Sequence, residues 1–109
     1  MIIRVFRATI REGRTADFKR MVEEQSIPWM EQADGMLGCF PGEPLPGSPR
    51  EFVMVSLWRD VDALREFAGS SWDTPVVTPD EAPLVEKMSA HHYTRFSEAQ
   101  MPGMPGDEA

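Results

Sequence analysis

Apolar and polar residues alternate through "IIRVFRATI" at residues 2 to 10, which predicts a strand with Arg4 and Arg7 on opposite faces. After the turn "REGR", Thr15 suits the N-cap of a helix whose apolar positions Phe18, Met21, Val22, Trp29 and Met30 keep mostly to one face. Pro28 lacks the amide proton that continues a helical ladder, so this helix is expected to end or bend near Ile27. "ADG" at 33 to 35 reads as the exit turn. Short apolar runs at 36 to 40 and 51 to 58 predict two more strands. Pro41, Pro44, Pro46 and Pro49 lie between them, excluding helix and disfavouring sheet, so this stretch reads as a plain semi-rigid connector, a lid or a partner contact.

Asp60 stands at the N-cap of a helix over 61 to 68, with Val61, Leu64, Phe67 and Ala68 on one face and Gly69 as its stop. Thr78, Pro79 and Glu81 form a capping box that predicts a further helix carrying Leu84, Val85 and Met88 inward. "SAHHYTRF" at 89 to 96 alternates like a final strand. From Ser97 onward, proline, glycine and acid predominate, which predicts a flexible tail over 97 to 109. The order strand, helix, strand, strand, helices, strand is the split β-α-β arrangement of an α+β, ferredoxin-like domain over residues 1 to 96. Helices cover one face of its four-stranded antiparallel sheet, and a second copy of the chain is expected on the other.

At 109 residues the chain fits one small domain. A net charge of −7, with no basic stripe threaded by aromatics, argues against nucleic acid as a partner. No run approaches the roughly 20 apolar residues of a membrane span. The N-terminus lacks the pattern of a signal peptide, so a cytoplasmic protein is expected. Cys39 is the lone cysteine; an internal disulfide is therefore impossible, and a small packed hydrophobe is the simplest reading.

The doublet His91–His92 looks like a site but alternates across a strand, so the two rings cannot share one pocket. His92 is expected on the covered face, and His91, with Tyr93 and Arg95, on the other. A histidine on an apolar face is either a hydrogen-bonded structural residue or a base able to take a phenolic proton. Trp29, Trp58 and Trp72 either fill the core or line a cavity for a flat ring, and Trp72, in the irregular "GSSWDTP", best suits a pocket wall. Arg4 and Arg7, on a central strand, either pair with acids or meet a substrate oxygen. A cavity of roughly 300 Å3 with convergent polar groups separates these readings from a core in which Phe6, Phe67 and Met54 fill the space.

"MIIRVFRATIREGRTADF", "SLWRDVDALREFAG" and the closing "HHYTRF" together resemble the antibiotic biosynthesis monooxygenase family of dimeric α/β-barrel proteins. The resemblance implies a homodimer whose two sheets close a barrel, with a pocket between sheet and helices in each subunit. Some members oxidise polycyclic aromatic polyketides with oxygen and no metal or flavin, and others degrade heme. Heme-degrading members use an Asn, a Trp and a His. This chain has no Asn; Phe6 or Arg7 stands at that position, Phe67 at the Trp and about Val77 at the His. The heme-cleaving triad is therefore absent.

The resemblance implies a cofactor-independent oxidoreductase acting on an aromatic or quinone-like small molecule. His92 would be proton acceptor or polariser, Tyr93 or Ser56 a secondary donor, and Trp72 and Phe67 the apolar wall. Trp58 and Arg7 complete the candidate substrate contacts. No metal or cofactor is expected. The competing expectation is a non-catalytic, ligand-binding or structural dimer of the same fold.

Overall fold

The computed structural model describes residues 1–75 and 78–97. Four strands, β1 (Ile2–Ile10), β2 (Met36–Gly42), β3 (Phe52–Trp58) and β4 (Val85–Thr94), form one antiparallel sheet in the order β2-β3-β1-β4. The predicted α+β, split β-α-β sheet is therefore present. β1 is central because it pairs on both edges, with β3 over Ile2–Ala8 and with β4 over Ile2–Ile10. Its even positions face the helices, and of these Arg4, Ala8 and Ile10 are buried.

The first helical run does not stop at Pro28. It passes from α1 (Thr15–Met21) through a π-helical turn (Val22–Ser26) into α2 (Ile27–Glu31). Pro28 is the second residue of α2 and follows directly on the π-helical turn, so its missing N–H falls where the helical hydrogen-bond pattern changes. The expected break is thus absorbed as a change of helix type. Thr15 is the first helical residue rather than the cap; Arg14 takes that place and pairs with Asp17 at 3.0 Å. Gly35, at φ +85°, makes the exit turn, and a Cβ there would lie 2.6 Å from that of Ala63.

α3 (Val61–Ala68) forms as its caps predict. The Asp60 side chain accepts from the Ala63 N–H at 2.8 Å, and the Gly69 N–H closes on the Arg65 carbonyl at 2.7 Å. The helix expected after Thr78 does not form. Its capping contact exists, with the Glu81 N–H donating to Thr78 Oγ1 at 3.2 Å, yet it opens only a single 3-10 turn (Ala82–Leu84). Val85 is already extended, because β4 pairs along β1 as far as Ile10, and Leu84, the last residue of the turn, and Val85, the first of the strand, are both buried against it. Sheet pairing outweighs one cap. β2 likewise runs past the predicted Phe40 to Gly42; it is an edge strand, where the missing donor of Pro41 costs little. Of the predicted tail, only Ser97 lies among the described residues.

Two apolar clusters stand at opposite ends of the covered face. One joins Ala8, Ile10, Phe18, Met21, Leu84 and Val85. The other joins Trp58, Ala63 and Leu64, with Phe67 and Trp72 packed against them. Between them the sheet presents a polar row, in which Arg4 stands opposite Ser56 on one side and His92 on the other.

Candidate functional site

Over that row the helices stand off the sheet and leave a cavity of about 280 Å3. Phe6, Met54 and Phe67 line it rather than fill it, together with Phe18, Met30 and Phe52. Val22, Glu23 and Ser26 of the π-helical turn form part of its wall. Wide turns of this kind recur beside binding sites because they displace a stretch of helix locally. Exposed Lys19, Glu23, Trp29 and Glu43 rim the opening, and Lys19 Nζ meets the Glu43 carboxylate at 2.9 Å, tying α1 to the start of the proline-rich connection.

An aromatic ladder runs inward from this rim. The Trp29 ring lies 4.3 Å from that of Phe67, which lies 4.9 Å from that of Trp58. Trp58 is fully buried, and its Nε1–H donates to Ser56 Oγ at 3.0 Å. Ser56 is thereby fixed in the cavity lining.

Arg4 also lines the cavity, at 5% exposure. Its Nη1 donates to the Trp72 carbonyl at 2.6 Å and to His92 Nε2 at 2.9 Å, and its Nη2 to the Thr74 carbonyl at 3.3 Å. Guanidinium nitrogens only donate, so Nε2 of His92 is an acceptor and the ring proton sits on Nδ1. Burial, and then the neighbouring Arg4 cation, hold the His92 pKa below its ordinary value, which keeps the ring neutral. The Trp72 ring closes edge-on over His92 at 5.1 Å.

Glu81 lines the cavity from the loop before β4 and is 7% exposed. Burial pushes its pKa up, against a smaller opposing hydrogen bond from the Thr78 backbone.

The structure therefore brings together only part of the expected constellation. Ser56 and Phe67 line the cavity. Trp58 lies behind them in the core, while His92 and Trp72 sit beside Arg4, outside the lining. Tyr93 and Arg7 belong to the opposite sheet face, Tyr93 at 52% exposure and Arg7 in an ion pair with Glu51 at 3.9 Å. The Val77 position, set against the heme-degrading histidine, lies outside the described residues. Glu81 was legible only as a cap, and Arg4 only as one of two strand arginines. The signal that singles out Arg4 is its even spacing with Phe6, Ala8 and Ile10, which places a cation on the apolar side of β1.

The sequence pattern of the antibiotic biosynthesis monooxygenase family matches residues 1–99. The chain belongs to that family. Among solved structures, a Bordetella bronchiseptica protein named as an antibiotic biosynthesis monooxygenase candidate is 22% identical, covers 86% of this chain and 95% of its own, and superposes with a TM-score of 0.67. A Mycobacterium tuberculosis protein is 17% identical over 91% of this chain and 98% of its own, with a TM-score of 0.69. An MhuD variant carrying two manganese protoporphyrin IX groups per active site is 16% identical over 93% of this chain and 100% of its own, also at 0.69. Identities this low show the shared fold alone. No curated protein matches significantly. Among the described residues, no helix is long and apolar enough to cross a membrane.

Proposed function

We propose that this chain is a cofactor-independent monooxygenase that holds an aromatic or quinone-like molecule in the cavity over Arg4. The observation that supports this reading is the cavity itself, with aromatic walls converging on buried Arg4, Ser56 and Glu81. A flat ring entering past Trp29 would slide against Phe67 and bring its oxygen to the polar row.

Glu81 is the proton acceptor in this scheme, since burial raises its basicity and it lines the cavity. His92, whose Nε2 is occupied by Arg4, is a positioning residue. Loss of a proton leaves an electron-rich substrate anion that reduces molecular oxygen. One oxygen atom enters the substrate, converting a ring CH2 to a carbonyl, and the other leaves as water with both hydrogens.

The uncovered sheet face fits a second copy of the chain. Ile3, Val5, Val55 and Leu57 form an apolar band there, flanked by Phe40 and Tyr93, which are 45% and 52% exposed. A homodimer joined through this face is part of the proposal, as is action in the cytoplasm.

Oxygen uptake by the purified protein against anthrone-like compounds and hydroquinones tests the reading, with isotopic oxygen traced into the product. Label in a new carbonyl is the expected result. Compounds that bind without consuming oxygen would reject catalysis and leave a ligand-binding dimer.

A further inference from the structure

Arg4 carries a full positive charge in the interior, yet each of its hydrogen-bond partners is neutral: two backbone carbonyls and one imidazole. Among the described residues, none of the ion pairs includes it. A guanidinium has five N–H donors. Nη1 spends both of its own on Trp72 and His92, and Nη2 spends one on Thr74, so Nε–H and the second Nη2–H have no acceptor among the described residues. Ser56 Oγ, opposite Arg4 in the same row, accepts from Trp58 and keeps its hydroxyl proton for another acceptor.

A buried cation without a counterion is costly, and the fold meets that cost at a residue lining an open cavity. The three contacts to Trp72, Thr74 and His92 fix the plane of the guanidinium, so its remaining donors are preorganised before a ligand arrives. No apolar ligand uses them. A carboxylate or an ionised enol or phenol supplies both the missing charge and the missing acceptors.

We propose that Arg4 and Ser56 form an oxyanion-binding subsite, and that the ligand is a planar apolar molecule carrying a carboxylate, phenolate or enolate oxygen. The inference rests on the cavity being a ligand site, as proposed above, and adds which end of the ligand is charged. His92, Trp72 and Thr74 are positioning residues for the guanidinium.

Calorimetric titration of the full chain at neutral pH with naphthoate, and with its neutral counterpart naphthamide, tests the subsite. Naphthoate is expected to bind about tenfold or more tightly than naphthamide, since a charge-assisted pair replaces a neutral one. Arg4→Gln is expected to erase that preference. Equal affinities in the unaltered protein, no detectable naphthoate binding, or a preference that survives Arg4→Gln would each overturn the assignment. Should Arg4→Gln fail to fold, the Arg4 Nε–H resonance decides: it moves on adding naphthoate and stays put with naphthamide if the subsite is real, and an unmoved resonance sinks it. Binding is read apart from turnover, so oxygen uptake that fails while the preference holds removes only the monooxygenase reading. Oxygen uptake with no preference removes only the subsite.

Discussion

The covered face of the sheet is built in two ways along its length. Around Ala8 and Ile10, side chains from β1, α1 and the segment entering β4 close into a packed cluster. Two rows away, around Arg4, the same strand meets a hollow, and Arg4, Ser56 and His92 replace what elsewhere would be apolar residues. The first region behaves as a core should: any atom removed leaves a void that neighbours cannot fill. The second has given up packing for donors and space. The contrast teaches that stability and function are divided along one strand, with the same period-two spacing serving both.

Substitutions at the two ends measure that division. Ile10→Ala, at 2% exposure, should cost about 3 kcal/mol in denaturant unfolding, from lost burial plus the cavity left behind. Met54→Ala, on the wall of the existing hollow, should cost about 1 kcal/mol while weakening ligand binding. Equal costs would erase the distinction between packed and hollow ends. Trp58→Phe removes the bond to Ser56 but keeps most of the ring, and a loss of about 1 kcal/mol is expected. Arg4→Met should change stability by less than about 1 kcal/mol, because an uncompensated buried charge leaves along with its hydrogen bonds. A large loss there would mean that Arg4 is a structural keystone.

Acid sharpens the comparison further. The folded-state pKa of His92 lies below its ordinary 6.5, from burial and from Arg4, with Asp73 opposing and His91 adding to the depression. The unfolded chain therefore binds the proton more readily. The contribution of His92 to stability is present above about pH 6.5 and is lost as pH falls from there toward the lowered value. Glu81 runs the other way: its raised pKa favours the folded state at low pH, and that contribution is lost as pH rises through the raised value. Thermal melts should show the His92 effect as a modest decline below pH 6.5 that His92→Gln flattens. An unchanged slope in that variant would mean that burial and Arg4 do not depress the His92 pKa in the fold.

Much of this was legible in the chain. The strand pattern, the Asp60 cap and the two-faced reading of His91 and His92 all follow from local spacing, and the structure places His92 inward opposite Arg4 as alternation requires. The departures differ in kind. Pro28 marks a change of helix type at Ile27 and not the end of the helical run, whereas the Thr78–Glu81 cap, a local signal, was outweighed by a strand that pairs with all of β1. The same holds for the site. Which way Nε2 of His92 points, and which cation it holds, depends on β1 and β4 lying in register, with a separation of 88 positions along the chain.

The π-helical turn at Val22–Ser26 also acts on everything beyond it. A wide turn takes in about one residue more than the α-helical repeat, so the following segment is rotated by about 100° from where a regular helix would place it. Trp29 owes its place at the cavity mouth, and Met30 its place inside, to that offset. Deleting one residue within the turn would rewind it like a slipped gear tooth, swinging the tryptophan off the entrance while leaving the sheet and its arginine untouched.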